Sequence, residues 1–299
     1  MLARLQQSIA ATLLIAVVGA FIEGWFYGQP RLGWIIGPGL ALGYLGVLGV
    51  EFVWLFRSYA AGDDMRPNWV QVLRSWLGEA LTAPRVFLWR QPFRSRRHPD
   101  HLPTDAAGRR GVLLVHGFFC NRGLWNPWLP RLRADGVPFV AVNLEPIFGS
   151  IDDYGPIVAR AVRQLQKATG LAPVIAAHSM GGLAARAWIA TTTDASFHRL
   201  ITIATPHAGT RLGATARGTN IRQMRHGSEW LANLAARESA AARTRFICFW
   251  SHCDNIVIPT RSAALAGAEN RHLVATPHVR MVYHPAVFEA LQQALDTEA

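Results

Sequence analysis

Val174-Ile-Ala-Ala-His-Ser-Met-Gly-Gly-Leu-Ala-Ala-Arg-Ala-Trp188 sets a single serine between a short apolar run and a glycine pair that opens an alanine-rich stretch. A run this short, bounded by turn residues, reads as a buried strand. The Ala-rich segment after Gly182 reads as a helix, because alanine has the best intrinsic helix propensity. Ser179 therefore lies in a strand-turn-helix context, where a hydroxyl is held at the tip of a tight turn. Ala177 and Gly181, two before and two after it, are small enough for strand and helix to cross closely. The free N–H groups at the helix start face the serine and can stabilise developing negative charge.

The same alternation continues on both sides. Apolar runs recur at 111–115, 139–144, 173–177, 199–204, 245–250 and 272–276, and helical patterns lie between them, notably Asp152–Gly170 and the segment after Pro285. Alternating strands and helices predict βαβ units and a mostly parallel sheet covered on both faces, an α/β class.

At Ala177-His178-Ser179-Met180-Gly181 the chain resembles the α/β-hydrolase superfamily, most closely its bacterial lipase and esterase branch, whose elbow is usually Gly-x-Ser-x-Gly. Ala177 replaces the first glycine here. Four further segments match in the expected order: VHGFFCNRGLW from Val115, TIATPHAGT at 202–210, SHCDNIVIP at 251–259 and TPHVRMVYHP at 276–285. The resemblance covers roughly Gly111–Leu295. It implies a Ser, Asp, His chain order, with Ser179 as nucleophile, Asp254 as the acid and His278 as the base. It implies an oxyanion hole from the backbone N–H groups of Phe118 and Met180. Asp152 and Asp153 are rival acids that precede the serine, and His284 is a rival base. His252 reads as loop structure, His178 as an elbow neighbour, and His207 has no assigned step. No metal or organic cofactor is implied.

The N-terminus has a different composition. Ser8–Tyr27 contains Glu23 as its only charge, and Leu32–Phe56 contains only Glu51. Each is long enough to span about 30 Å of hydrocarbon as a helix. The connector Gly28-Gln29-Pro30-Arg31 predicts an antiparallel hairpin, with the Gly39/Gly43 step and Gly46 and Gly49 offering close helix approach. Trp25, Tyr27, Trp34 and Trp54 sit near the span ends. A cleaved signal peptide and a pair of buried globular helices are the alternatives. Arginines at 57, 66, 74, 85, 90, 94, 96 and 97, against Arg31 alone in the connector, place both termini on the cytoplasmic side of a bacterial inner membrane. Asn68–Ala83 reads as a capped amphipathic helix that lies on the bilayer or packs on the catalytic domain, and Pro84–Arg110 as a basic linker. The expected division is 1–60 anchor, 61–110 helix and linker, and 111–299 catalytic domain. An insertion at about 206–243 carries an apolar face of Met224, Trp230, Leu231 and Leu234, either lid or core.

Composition narrows the function classes. The chain of 299 residues has a formal net charge of +11, and Lys167 is its only lysine. No basic helix, zinc spacing or RNP-type motif accompanies that charge, which argues against nucleic acid. Cys120, Cys248 and Cys253 have no framework spacing and read as free thiols. The expectation is a membrane-anchored serine hydrolase acting on lipid-like carboxylic esters. Thioester cleavage, acyl transfer or lipid deacylation by the same triad is the alternative, and a non-catalytic membrane module is the alternative from another class.

Overall fold

In the computed structural model, which describes residues 1–213 and 217–297, the apolar runs become six strands. These are β1 (Val112–Val115), β2 (Phe139–Ala141), β3 (Val174–His178), β4 (Leu200–Ile203), β5 (Phe246–Trp250) and β6 (Glu269–His272). They form one parallel sheet in the order β2-β1-β3-β4-β5-β6. Side chains alternate between its faces. Leu113, Val115, Ile175 and Ala177 enter one buried cluster, while Val112, Leu114, Val174 and Ala176 enter the other. Both faces are covered, so the strands read as unbroken apolar runs. The last strand departs from the sequence expectation: it is Glu269–His272, and its residues are mostly exposed. The apolar 273–276 stretch instead leaves the edge of the sheet and turns inward, burying Leu273 and Thr276.

Two long helices precede the sheet, α1 (Leu2–Phe26) and α2 (Pro30–Ser58). Their close approach is at the turn, where a Cβ on Gly24 would lie 2.9 Å from Gly33 N and one on Gly33 would lie 3.0 Å from Phe21 Cα. Gly39, Gly43 and Gly46 have no neighbour within 4 Å, so the expected glycine step is not the contact. Gly39, Gly43 and Gly46 lie exposed on α2, whereas Gly24 and Gly33, near the connector, meet a facing backbone. Both are long and apolar enough to cross a membrane. Their far ends dock on the rest of the chain. Gln6 Nε2 donates to Gln91 Oε1 at 2.7 Å, and Gln7 Nε2 donates to Pro92 O at 2.7 Å. Phe52 and Leu55 are buried against Cys253 and Ile258.

Helix α3 (Trp69–Pro84) begins with a capping box, Asn68 accepting from Gln71 N–H and Gln71 from Asn68 N–H. It packs on α2, Tyr44 Oη donating to Ala80 O and Trp76 Nε1 to Leu45 O. Beyond Pro84 the chain stays helical, through a π-helical turn at Arg85–Arg90 and α4 (Gln91–Arg94). The arginines of this stretch suggested a linker. Val86 and Gln91, both buried, explain why it is helical and docked.

In the sheet domain, α5 (Leu129–Ala134) covers one face and α6 (Gly155–Thr169) with α7 (Met180–Thr191) the other. The insertion contributes α8 (Thr219–Gln223), α9 (Glu229–Arg237) and α10 (Ala240–Arg243), and α11 (Pro285–Asp296) closes the fold beside α5. The apolar face of the insertion is turned inward, with Met224, Leu231 and Leu234 buried in the cluster that contains α7. A buried ion pair locks it there: Arg186 Nε and Nη2 donate to the two Glu238 carboxylate oxygens at 2.6 and 2.7 Å. Removing one partner strands a desolvated charge. Glu238→Ala is expected to cost about 3–5 kcal/mol, read from the shift in urea midpoint at constant slope.

Candidate active site

The chain runs from β1 out to β2 and returns to β3 on the other side of β1, so strand order reverses between β1 and β3. In an open parallel sheet the crevice beyond the carboxyl ends of such strands is where ligands bind. The His116-Gly117-Phe118 turn follows β1 and Ser179 follows β3. Asp254 and His278 lie in the loops after β5 and β6.

Ser179 is at φ 54° and ψ −126°, a positive φ that is strained for any L-residue. Its carbonyl accepts from Thr205 Oγ1 at 2.9 Å, and its N–H donates to Ile203 O at 2.8 Å, so both ends of the turn are pinned. The crossing depends on Gly181, where a Cβ would sit 2.5 Å from His116 O. At Gly182 an added Cβ would strike Thr205 Oγ1. On the other side, a Cβ at Gly117 would lie 2.8 Å from Ser179 Cβ, so the 116–118 turn is packed on the serine itself. His116 fixes that turn, Nδ1–H donating to Gly117 O at 2.9 Å and Nε2 accepting from Leu144 N–H at 3.0 Å. Burial brings its pKa down to about 4, so this neutral tautomer persists. Phe118 stacks edge-on with Phe148 at 5.9 Å.

Ser179 Oγ is 3.1 Å from His278 Nε2, and His278 Nδ1 is 3.0 Å from both Asp254 carboxylate oxygens. Asp254 Oδ1 also accepts from the N–H groups of Ile256 and Val257 at 2.9 Å. Burial alone would lower the His278 pKa, but the charge and hydrogen bond of Asp254, with the charges of Glu79 and Glu51, outweigh it and raise it above 6.5. Ser251 Oγ accepts from Cys253 N–H and Thr276 N–H, both at 3.1 Å, joining the acid loop to the base loop.

The other candidates lie elsewhere or act differently. Asp153 caps the 3-10 turn Ile151–Tyr154, and Asp152 accepts from Trp230 Nε1 at 2.8 Å, tying down the insertion. His284 caps α11, its Nδ1 accepting from Ala286 N–H. His252 Nδ1 is 2.8 Å from His272 Nε2. His178 donates from Nε2 to His278 O at 3.3 Å, and burial and the adjacent His278 hold its pKa well below the usual value. His207 bridges Arg186 Nη1 at 3.1 Å and Thr202 Oγ1 at 3.0 Å. Among the described residues no group of three or more His, Cys, Asp or Glu side chains is placed to hold a metal ion.

Three residues that bear on the site have no site role in the sequence reading. Glu79, on α3, is buried and accepts from Val279 N–H at 2.9 Å and Arg280 N–H at 3.1 Å, directly after His278. Burial pushes its pKa up to about 7. Asn255 Oδ1 accepts from His278 N–H at 3.2 Å, and Asn255 Nδ2 donates to Glu51 Oε2 on α2 at 2.7 Å. A lone charge in an apolar helix is the signal that singles out Glu51. Nothing local marks Glu79, whose partner is 200 positions away.

The fold has counterparts among known proteins. Among solved structures, the mature form of the Bacillus licheniformis lipase BlEst2 superposes with a TM-score of 0.54 at 15% identity, covering 64% of this chain and 95% of that one. Aspergillus fumigatus lipase B gives a TM-score of 0.56 at 20% identity, covering 64% of this chain and 54% of that one. At these identities the likeness is one of fold. No curated protein matches. The model of the alpha/beta hydrolase family matches residues 112–295, which contain all six strands, Ser179, Asp254 and His278, and the chain belongs to that family.

Proposed function

We propose that the protein is a membrane-anchored serine hydrolase that cleaves carboxylic esters with apolar acyl groups. The observation that carries this reading is the Ser179–His278–Asp254 chain of contacts at 3.1 and 3.0 Å, built on a strained turn at the sheet's switch point. A serine hydroxyl is a poor nucleophile until a base takes its proton. His278 Nε2 accepts that proton as Ser179 Oγ attacks the acyl carbon, and Asp254 keeps the other ring proton on Nδ1. The N–H groups of Phe118 and Met180 receive the oxyanion, Met180 being the first residue of α7, where an N–H has no intrahelical acceptor. The alcohol leaves with the proton from His278. Water, deprotonated by the same imidazole, then hydrolyses the acyl-enzyme.

The cluster of aromatic rings at Phe118, Phe119 and Phe148, which begins at the 116–118 turn packed on Ser179, supports an apolar acyl group. The exposed Leu14, Ile15, Val18, Ile22, Trp25 and Phe26 of α1 support a bilayer around the outer part of the hairpin. Both docked helix ends are on the catalytic domain's side, so the domain and both ends share one face of the membrane, which arginine placement makes the cytoplasmic one. Fluorophosphonate labelling of membranes tests both halves. Labelling of the wild type that survives a carbonate wash is expected; release by the wash would refute the anchor, and no labelling of folded protein would refute the activated serine.

Glu79 supplies the acceptor for two backbone N–H groups that would otherwise be buried unpaired beside the base. Glu79→Ala is expected to lower kcat about 100-fold through displacement of His278, with KM little changed. Glu79→Gln keeps an acceptor for one of the two N–H groups and is expected to recover part of the rate. It also removes a charge that favours the imidazolium, so the acid limb of kcat/KM moves to lower pH. Equal KM and kcat losses in both variants, with an unmoved limb, would mean that Glu79 serves folding alone.

A further inference from the structure

On the outer side of the base loop lies a cavity of about 850 Å³, walled by α3, the π-helical turn and the chain that follows β6. Thr276 and Arg280 contribute to its wall on either side of His278, while Ser179 does not line it. Arg74, Arg85, Arg90 and Arg280 line it, and no aspartate or glutamate does. Some arginines elsewhere in the fold pair with acids, as Arg122 does with Asp100 and Arg271 with Glu269. Among the described residues none of these four has a carboxylate within the 4.0 Å of an ion pair.

Two of the four are held by their neighbours. Arg280 lies across α3 at Gly78, where any Cβ would strike its Nη1. Arg90 is stacked over the Tyr283 ring at 5.1 Å. Four guanidinium groups around one cavity repel one another, and a bound anion reverses the sign of that contribution. Planar forked donors match phosphate oxygens two at a time.

The wall is also amphiphilic. Leu77 and Leu81 of α3 line it and are 47% and 61% exposed, and Val274 opposite is 63% exposed. They continue a stripe of exposed apolar residues on α3, Trp69 and Leu73, at a spacing of four. An apolar rim on a cationic cavity fits a molecule with a charged head and hydrocarbon tails, and the volume exceeds what a free phosphate ion needs. Helix α3 packs on α2, which places the cavity beside the proposed bilayer.

We propose that this cavity binds the phosphate headgroup of an anionic phospholipid, with its acyl chains along Leu77 and Leu81. The site is separate from Ser179 and does not depend on that serine's chemistry. Through Thr276 and Arg280 its occupant bears on the segment that carries His278.

The test uses the full-length Ser179→Ala protein in a nonionic detergent, so that no lipid can be turned over. Thermal unfolding is followed during titration with dihexanoylphosphatidic acid, dihexanoylphosphatidylcholine or inorganic phosphate. The phosphatidic acid is expected to raise Tm saturably, by about 5 °C or more once well above Kd. The choline lipid should do so much less, and phosphate only at far higher concentration. Combining Arg74→Gln, Arg85→Gln and Arg280→Gln should abolish the rise. A single Arg211→Gln control, on an arginine outside the cavity, should keep it. Equal shifts with the choline lipid, or an undiminished shift in the triple variant, would overturn the site. Inorganic phosphate acting at the same concentration as the lipid would overturn the lipid as its occupant.

Discussion

Ser179→Ala protein is expected to lose ester hydrolysis by a factor of about 10⁵ or more, while its fold and membrane retention stay intact. The hydroxyl makes one contact of consequence, to His278 Nε2 at 3.1 Å, so its loss leaves no buried charge unpaired. The rate that survives comes from the oxyanion donors and substrate positioning, which act without the serine. Because Ser179 and His278 act as a unit, Ser179→Ala combined with His278→Ala should be no slower than either alone. The backbone makes a second forecast. The positive φ costs about 1–3 kcal/mol in any residue but glycine, so Ser179→Gly should be as inactive as the alanine variant and yet unfold at a higher urea concentration. If Ser179→Ala retained a rate within tenfold of the wild type, the nucleophile would have to be another group, and the short Ser179–His278 contact would be structural.

Much of this site is legible in the sequence because its geometry is local. A strand, a turn and a helix in succession put Ser179 on the tip of a crossing whose small residues, Ala177 and Gly181, are two positions away. The order of strands is harder to read, yet the Asp254 and His278 loops follow apolar runs close to β5 and β6, and the family resemblance supplies their roles. The last strand was misplaced by three residues because 273–276 is more apolar than the exposed edge strand before it. Burial in a loop and burial in a sheet leave the same mark on composition. The arginines of residues 85–94 point to a linker, although Val86 and Gln91 are buried. The glycine contacts of the hairpin shifted from Gly39 and Gly43 to Gly24 and Gly33, since turn geometry, not spacing alone, decides where two helices touch.

The least legible part is the coupling between the N-terminal helices and the site. Glu51 on α2 holds Asn255, which in turn holds the His278 N–H, and Glu79 on α3 holds the next two N–H groups. The base loop is therefore suspended from helices that precede the sheet domain. Tyr59, just past α2, ties the acid loop in the same way by donating to His252 O at 2.8 Å. A helix pair that only tethered the enzyme would need none of these bonds. Their physical effect is to help set the orientation of His278 from outside the sheet and the elbow, so order in the N-terminal helices and order at the base are energetically linked.

Asp254→Asn carries the second large effect, an expected fall in kcat of about 10⁴. Both oxygens of Asp254 are 3.0 Å from His278 Nδ1, and Oδ1 also accepts two backbone N–H groups at 2.9 Å. An asparagine would keep its oxygen on those backbone donors and turn its NH₂ towards Nδ1. The imidazole proton then moves to Nε2, where it points at Ser179 Oγ and cannot receive the serine's proton. The same substitution moves the pH profile. In the wild type burial works to lower the His278 pKa, but the charge and hydrogen bond of Asp254, together with the charges of Glu79 and Glu51, raise it above its ordinary value. Activity needs the neutral ring, so it is lost as pH falls through that raised value and is restored above it. Without the carboxylate, burial dominates, the ring stays neutral to lower pH, and the acid limb of the residual kcat/KM moves down. Profiles measured from about pH 5 to about pH 9 resolve the shift. An unmoved limb with a near-normal rate would show that the base draws its basicity from Glu79 and Glu51 instead, and that the contact with Asp254 is incidental.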